Sequence, residues 1–419
     1  MPIGVSGVHA VPNTLHSHGL STPGWVDAAL RDHEEQARHE REAGQLQPHP
    51  RDERNPGAPQ PAPGTVREEQ VLARIDRARR SRPRVREPRI TMSHGAGGKA
   101  SRTLVEAVFL DAFRNPLLEP MEDAARLEAD GASLALTTDS FVVSPLFFPG
   151  GNIGDLAVNG TVNDLAVSGA TPLYLSAGFI LEEGFGLDEL RTIVTSMREA
   201  AERAGVQVVT GDTKVVERGK ADGCFITTAG VGLREPGRLL GVAAARPGDT
   251  VLVSGPIGDH GTTIMLARGE LDIEADIVSD TAPLNGLAAA LLAVPGLRAM
   301  RDATRGGVAT ILNEIAAEAG VGVVVREDDI PVRTAVRGAA ELLGIDPLYV
   351  ACEGRLVAVV DGAQADEALA AMRAHPLGAG AASIGQIIAD PPGTVLLKTA
   401  FGGTRIVDLL VGDPLPRIC

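Results

Sequence analysis

The sequence predicts an α/β (α+β) protein with two domains, and three observations support this prediction. The chain has 419 residues, which is too long for one ordinary domain. Apolar residues make up 44% of it, enough to form a sizeable core. From Ile90 onward, strand-like apolar runs alternate with helical patterns and are separated by glycine-rich turns. No internal repeat of the length typical of a solenoid is present.

The first α/β unit is predicted over residues 90–245. A strand at 133–138 ends at Asp139. Apolar residues at helical spacing between 187 and 201 predict a helix with one buried face, which Gly205 ends. A strand at 206–210 follows, and we predict a loop at 211–214, where the sequence is Gly-Asp-Thr-Lys.

The second unit is predicted over residues 246–395. Its first strand, at 250–254, leads into a glycine-rich turn at 255–261. A further strand at 299–304 precedes a pair of glycines and a helix at 308–319. Residues 396–419 consist of short apolar pieces broken by glycine and proline, and we predict a mobile C-terminal tail there.

The N-terminal part of the chain has a different composition. Its first 90 residues hold 11 of the 28 prolines and six of the nine histidines. Two pieces, 23–43 and 65–80, could be helical but lack a strong apolar stripe. We therefore expect residues 1–89 to form a disordered extension. Metal storage by the histidines is the alternative, although their spacing is irregular and no cysteine accompanies them.

Charge and composition argue against several classes of function. A formal net charge of −15 and an aromatic content of 3% argue against binding to nucleic acids. No stretch approaches the apolar length of a membrane span, and the first residues do not resemble a secretory leader. Three cysteines do not suggest a disulfide framework. Together these features predict a cytoplasmic protein.

Five aspartates lie where predicted strands or glycine-rich turns end. They are Asp139, Asp155, Asp164, Asp212 and Asp302. Carboxylates at such ends can converge on a divalent cation, and Mg²⁺ prefers oxygen ligands together with substrate phosphates. Each aspartate could instead cap a helix or an Asx turn, so the spacing alone leaves both interpretations open.

A glycine-rich segment with the sequence SHGAGGK precedes a helical pattern near the start of the first unit. Backbone N–H groups at Gly95, Gly97 and Gly98 could hold a phosphate, with Lys99 as a nearby cation. The segment matches neither a Walker A loop nor a dinucleotide-binding fingerprint. A flexible connector is therefore the alternative interpretation.

The last residue of the chain is a cysteine, Cys419. A thiol at a chain end can enter and leave an active site, including one in another protein. The adjacent carboxylate should raise the pKa of this thiol, so Arg417 or a partner would have to favour the thiolate. The chain end is not a prenylation box, because the cysteine of such a box is the fourth residue from the end and Cys419 is the last. The position predicts a functional thiol.

Several segments of the chain, taken in order, resemble the HypE family of hydrogenase-maturation proteins. That family belongs to the ATP-binding superfamily of aminoimidazole ribonucleotide synthetase and selenophosphate synthetase. The matching segments are MSHGAGGKASRTLVEAVF, DSFVVSPLFFPGGNIGDLAVNGTVNDLAVSGATPLYLS, VVTGDTKVVERG, LVSGPIGDHG, RDATRGGVATILNEIA, DPLYVACEGRL and the terminal LPRIC. The resemblance spans roughly residues 90–419 and is specific because of the terminal PRIC.

This resemblance implies a two-domain PurM-like fold in which strands of the N-terminal domain pair across a homodimer. It implies that ATP and Mg²⁺ bind between the domains. The carbamoyltransferase HypF would place a carbamoyl group on the terminal cysteine, and ATP-dependent dehydration would turn this thiocarboxamide into a thiocyanate. The cyano group would then pass to iron on the HypC–HypD complex as a cyanide ligand of the [NiFe]-hydrogenase centre.

The resemblance also assigns roles to residues of the nucleotide site. It implies that Asp139, Asp164 and Asp302 hold the metal, with Asp155 and Asp212 as second choices. The glycine-rich segment would cover phosphate. The remaining cofactor-binding residues would be Thr138, Asp139, Asn163, Asp164 and Asp212.

At the reacting tail, the resemblance points to three catalytic residues. Cys419 would carry the group, Lys214 would stabilise oxyanion charge, and Glu353 would accept the amide proton. A purely structural Lys–Glu pair would look the same from the sequence. Cys352 stands where the family more often has asparagine, and we expect it to be a packing residue.

Two other functions remain possible at this stage. One is an ATP-dependent synthetase or kinase of the same superfamily that acts on a small metabolite. The other is a non-catalytic carrier or metallochaperone that uses Cys419 and the N-terminal histidines. The terminal PRIC sequence favours the dehydratase, because the small-metabolite enzymes have no need of a terminal thiol.

Overall fold

The computed structural model describes residues 85, 88–238, 240–269, 275–410 and 417–419. The predictions made for the N-terminal extension, including its two helices and six histidines, lie outside these residues. No helix within the described residues is long and apolar enough to cross a membrane.

The first domain is built on a five-stranded sheet. In chain order the strands of this domain are β1 (Ala125–Ala129), β2 (Ala132–Phe141), the short hairpin β3 (Phe147–Phe148) and β4 (Gly151–Asn152), β5 (Ala170–Glu182), β6 (Gln207–Val216) and β7 (Cys224–Arg234). The strand order in the sheet is β1-β2-β7-β5-β6, and only the β5–β6 pair is parallel. The predicted strand at 133–138 is confirmed within β2.

The domain begins with α1 (Lys99–Leu104), which continues through a π-helical turn (Val105–Phe109) into α2 (Leu110–Phe113). One face of the sheet is covered by α3 (Ile153–Val167) and α4 (Leu187–Ala204). The predicted amphipathic helix is confirmed as α4, and Gly205 ends it with φ +70°. On its inner side, α4 buries Ile193 and Met197 against α3 and the sheet.

The predicted loop at 211–214 is wrong, because β6 continues through it to Val216. Parallel pairing with the long strand β5 runs from Tyr174–Gln207 to Glu182–Val216. Backbone pairing with this neighbour overrides the local preference of Gly211 and Asp212 for a turn.

Among the residues that the structure describes, none covers the opposite face of the first sheet. Large apolar side chains on it are 43–47% exposed, namely those of Leu136, Tyr174, Ile180 and Leu233. The pairing register places them on one side of the sheet, because directly paired residues project to the same face. Nine of the ten residues of β6, at the edge of this sheet, are also exposed.

The second domain holds a seven-stranded sheet. Its strands are β8 (Thr250–Val253), β9 (Leu297–Asp302), β10 (Gly322–Arg326), β11 (Leu356–Val360), β12 (Ala382–Ile388), β13 (Thr394–Lys398) and β14 (Thr404–Ile406). Their order is β14-β13-β10-β12-β8-β11-β9. The predicted tail therefore begins inside β13, and the chain leaves the sheet only after β14.

Helices cover both faces of the second sheet. They are α5 (Asp259–Ala267), α6 (Asn285–Leu292), α7 (Gly307–Ala319), α8 (Thr334–Leu343) and α9 (Ala365–Ala374). Alternate residues of β8 divide between the two cores: Val251 and Val253 face the core that includes α7, whereas Leu252 faces the core that includes α6 and α9. The predicted helix at 308–319 is confirmed as α7.

Candidate active site

An acidic cavity of about 260 Å³ lies where the two domains meet. Asp123 precedes β1, Asp164 lies on α3, and Asp302 is the last residue of β9. One carboxylate oxygen from each of these three residues lies within 4.8 Å of the others. Asp139, near the end of β2, lines the same cavity and shares a hydrogen bond with Asp164. The site therefore takes carboxylates from both domains.

Crowding and burial disfavour the ionised form of these carboxylates. Burial, reinforced by the charge of Asp139, raises the pKa of Asp164 well above its usual range. The same two causes raise the pKa of Asp302 to about 7. Burial also raises the pKa of Asp123, although the guanidinium of Arg301 opposes this effect. A cation placed between these oxygens would relieve the repulsion.

The donor set of the cavity fits a hard divalent cation. All three clustered ligands are carboxylate oxygens, which Mg²⁺ prefers over nitrogen or sulfur. Arg301 pairs with Asp123 and lies 3.2 Å from Glu314 through Nη2, so it fixes the carboxylate of Asp123 from one side. The buried hydroxyl of Thr310, in the same cavity, has no hydrogen-bond partner among the described residues.

A second cavity, of about 210 Å³, surrounds the C-terminal residue. The thiol of Cys419 lies beside Glu353, and burial followed by the Glu353 charge raises the pKa of that thiol well above its usual range. Burial likewise raises the pKa of Glu353, whose Oε1 is buried without a hydrogen-bond partner among the described residues. The structure thus brings the predicted carrier thiol and the predicted base together.

Arg305 forms part of the wall of both cavities. Its pKa is raised chiefly by Cys419 and further by Asp139 and Glu353, so it is the cation that faces both groups of acids. It also donates through Nη1 to the carbonyl of Gly95, at 3.2 Å. The sequence analysis quoted the segment RDATRGG but assigned Arg305 no role.

Lys214 lies elsewhere in the described chain. It is on β6, where its Nζ is 2.8 Å from Asp212 Oδ2, and both side chains are about 70% exposed. Its register partner on β5 is Ile180, which places Lys214 and Asp212 on the uncovered face of the first sheet. The structure of one copy therefore does not bring Lys214 to Glu353 or Cys419, and its catalytic role stays a prediction.

The other predicted cofactor residues occupy varied environments. Asn163 is fully engaged, because its amide donates to the carbonyls of Ala282 and Glu353 and accepts from the N–H of Leu284 at 2.7 Å. Asp155 caps the start of α3 through the N–H of Asn152, so its role here is structural. Thr138 lines the acidic cavity, but its hydroxyl donates to the carbonyl of Thr228 on β7, at 3.1 Å.

The glycine-rich segment lies beside these cavities. Gly95 lines the cavity around Cys419. Of the three N–H groups predicted to hold phosphate, that of Gly97 already has an acceptor, Ser101 Oγ at 2.9 Å. The N–H of Lys99 donates to the Leu410 carbonyl at 3.1 Å. Gly98 packs tightly, because a Cβ there would meet the carbonyl oxygen of Leu410 at 2.5 Å.

Comparison with known proteins identifies the family. Family models described as AIR synthase related protein, N-terminal and C-terminal domains, match residues 121–234 and 246–398. A carbamoyl dehydratase HypE from Rhodobacter capsulatus is 57% identical over 341 residues, which cover 80% of this chain and 99% of that protein. The chain belongs to the HypE family of carbamoyl dehydratases.

Solved HypE structures support the same assignment. A HypE–HypF complex aligns with a TM-score of 0.70 at 49% identity, covering 73% of this chain and 99% of that one. A HypE in complex with ATP aligns with a TM-score of 0.67 at 47% identity, covering 79% and 100%. The predicted two-domain PurM-like fold is confirmed, and this HypE-family enzyme takes part in hydrogenase maturation.

The sequence analysis missed two further residues of this HypE-family site. Asp123 lies between helix α2 and β1, where neither a strand end nor a glycine-rich turn marks it. His260, in the quoted segment LVSGPIGDHG, is fully buried and contacts the C-terminal tail. His260 is the one histidine in the glycine-rich turn predicted at 255–261. This is the sequence signal that could have identified it as a site residue.

The raised pKa of Asp302 predicts how the stability of the metal-free protein depends on pH. Because its folded pKa lies above the ordinary value of 3.8, its contribution is complete below that value and is lost as pH rises through about 7. Asp302→Asn removes the charge at similar size. We expect the melting temperature of the variant, relative to wild type in chelator, to rise between pH 4 and pH 8 by about 5 °C or more.

Asp188→Asn is the matched control, because the side chain of Asp188 is 95% exposed. It should show no such pH-dependent difference when measured by differential scanning calorimetry. A constant difference between Asp302→Asn and wild type across this pH range would mean that Asp302 is ionised with an ordinary pKa.

Proposed function

We propose that this chain carries a carbamoyl group on Cys419 as a thiocarboxamide and dehydrates it, with ATP and Mg²⁺, to a thiocyanate. The observation that carries this proposal is the position of the Cys419 thiol. It lies beside Glu353 in a cavity that shares Arg305 with the acidic cavity. A reactive group on this sulfur would therefore lie between a proton acceptor and a cation.

The reaction removes one water from the carbamoyl group. The carbon–oxygen bond breaks, both amide protons leave the nitrogen, and a carbon–nitrogen triple bond forms while the sulfur–carbon bond stays intact. ATP supplies the phosphoryl group that makes the carbamoyl oxygen a leaving group, so the oxygen departs as phosphate. The chain's own residues must position the tail, accept a proton and compensate negative charge.

Glu353 suits the role of proton acceptor. Its side chain is 2% exposed, and the N–H of its backbone donates to Asp280 Oδ1 at 2.9 Å, which fixes the residue in place. A carboxylate with a raised pKa is a stronger base once ionised. Its unpartnered Oε1 is available to an amide proton.

Arg305 suits the role of charge compensation at the transferred group. Its guanidinium faces Cys419, Asp139 and Glu353, and a cation already in place stabilises developing negative charge without reorganisation. We propose this role for Arg305 in addition to Lys214. The predicted oxyanion role of Lys214 requires the homodimer that is proposed below.

Asp123, Asp164 and Asp302 would hold Mg²⁺, with Asp139 next to them. Support for ATP comes from the solved HypE that contains it at 47% identity. The acidic cavity and the oxygen-only ligand set support Mg²⁺ as its companion. Thr138 borders this cavity, and Gly95 borders the cavity around Cys419. Thr138 and the segment from Gly95 to Lys99 are our candidates for nucleotide contacts.

The proposed partners follow the same chemistry. The solved HypE–HypF complex supports HypF as carbamoyl donor, and we propose the HypC–HypD complex as cyanide acceptor. The three cysteines that the structure describes are all free thiols. Since Cys419 must remain reduced to accept a carbamoyl group, we propose a reducing, cytoplasmic location.

Glu353→Gln separates carbamoyl transfer from dehydration. Gln keeps the shape of the protonated acid but cannot accept a proton, so we expect HypF to carbamoylate the variant normally. Loss of water from the carbamoylated tail should slow by about 100-fold or more, with ATP affinity unchanged. Intact mass spectrometry of the tail over time measures both steps.

The control is Glu235→Gln, since the Glu235 side chain is 73% exposed and pairs only with Arg238 among the described residues. Its tail should lose water at the wild-type rate. Normal dehydration by Glu353→Gln would refute the assignment of Glu353 as the base.

We also propose that two copies pair through the uncovered face of the first sheet. The apolar side chains of Leu136, Tyr174, Ile180 and Leu233 on this face have no cover in one copy. An exposed apolar face beside an exposed edge strand is typical of a protein interface. Lys214 lies on the same face, so we expect its contribution to catalysis to depend on the homodimer.

Ile180→Glu tests this pairing, because it places a charge at the centre of the uncovered face. Wild type should have the mass of a dimer in light scattering after gel filtration, and the variant should be a monomer with an unchanged circular dichroism spectrum. Leu342→Glu, at a residue 68% exposed on α8, should stay dimeric. A monomeric wild type, or a dimeric Ile180→Glu, would contradict the proposed interface.

A further inference from the structure

The last three residues dock against the first domain like an added strand. The N–H of Val142 donates to the carbonyl of Cys419 at 3.1 Å, and the N–H of Ser144 donates to the carbonyl of Arg417 at 3.2 Å. These two donors follow the end of β2. They bind the tail through its backbone and therefore do not depend on the state of the sulfur.

Ile418, which lies between Arg417 and Cys419, is held by contacts of its own. The Ile418 side chain is 4% exposed and packs in the core of the first domain. Its carbonyl oxygen lies 2.8 Å from Nε2 of His260, which is fully buried on α5 of the second domain. His260 thus joins the second domain to the tail one residue before the reactive cysteine.

Chemistry fixes the hydrogen-bond roles of this histidine. A carbonyl can only accept, so Nε2 carries the proton and donates to Ile418. In the neutral ring Nδ1 must then accept, and Ser279 Oγ, at 2.8 Å, is its donor. Ser279 Oγ itself accepts from the N–H of Thr281 at 3.2 Å, and the Phe148 ring meets the His260 ring edge-on.

The charged side chains near the tail contact Arg417, and His260 is neutral. Arg268 donates through Nε to the carbonyl of Ser144 at 2.6 Å and through Nη2 to the carbonyl of Arg417. Arg417 Nη1 pairs with Asp222 at 2.6 Å on the surface. Burial lowers the pKa of His260 to about 4, in accord with a neutral donor to Ile418.

We propose that His260, oriented by Ser279, is the positioning residue that holds the C-terminal tail in its inward position. The hydrogen bond to Ile418 fixes the carbonyl immediately before Cys419 and thereby sets the sulfur against Glu353. The consequence for catalysis rests on the proposed dehydratase function, whereas the effect on tail docking does not. Losing this contact should expose the thiol and slow dehydration without hindering the donor enzyme.

The direct test is the rate at which iodoacetamide alkylates Cys419, followed by peptide mapping. His260→Ala removes the donor and should raise this rate about five- to tenfold, the effect of one net hydrogen bond. His260→Gln retains an N–H of similar reach and should restore part of the protection. Cys224 and Cys352 are buried, and their alkylation in the same samples reports global unfolding.

A second variant leaves the His260 hydrogen bond in place. Ile418→Ala removes the buried side chain of the tail at the chain end. We expect it also to speed alkylation of Cys419. An unchanged rate in both His260→Ala and Ile418→Ala, with the two buried cysteines protected, would overturn the proposal.

The catalytic readout separates this proposal from the proposed function. In His260→Ala, carbamoylation by HypF should be as fast as in wild type or faster, while the maximal rate of water loss falls and the KM for ATP stays the same. If wild type never dehydrates its tail, the proposed function fails but the alkylation result still decides the docking role. A normal dehydration rate in a variant with an exposed Cys419 would refute positioning.

Discussion

The mutual repulsion of buried carboxylates at the domain junction is the constraint on which the site depends. Asp123 and Asp164 come from the first domain and Asp302 from the second, and their carboxylate oxygens lie within 4.8 Å of one another. Such a cluster costs stability unless its members are protonated or share a cation. Arg301 offsets part of this repulsion from one side, and the remainder is the physical basis for the proposed cation site.

Helix α3 connects this cluster with the reacting tail. It is buried on nearly all sides, between the first sheet and the second domain, and its residues are correspondingly small or apolar. Its polar members have specific tasks: Asp164 faces the acidic cavity, and Asn163 holds the backbone of Glu353 and the segment before α6. One helix therefore sets the acids and the base relative to each other.

The sequence predicted the parts of this site that local patterns mark. Asp302 lies near the end of a predicted strand that precedes a pair of glycines, and Cys419 is marked by its position at the chain end. Asp164 was placed at a turn but lies within α3, because buried packing on both sides favours helix over its local turn preference. Arg305 and His260 gain their roles only from contacts between segments that are distant in sequence. Lys214 was predicted in a loop but lies on β6, which is extended by its pairing with β5.

The account rests on Cys419 as both carrier and substrate of the enzyme that bears it. The most direct test follows the intact mass of the wild-type C-terminal peptide with HypF, carbamoyl phosphate, Mg²⁺ and ATP. The account predicts that Cys419 first gains one carbamoyl group and then loses one water, the second step only when this chain's ATP site is functional. A carbamoyl group that appears on another residue, or one that stays hydrated on Cys419 with ATP present, would contradict it.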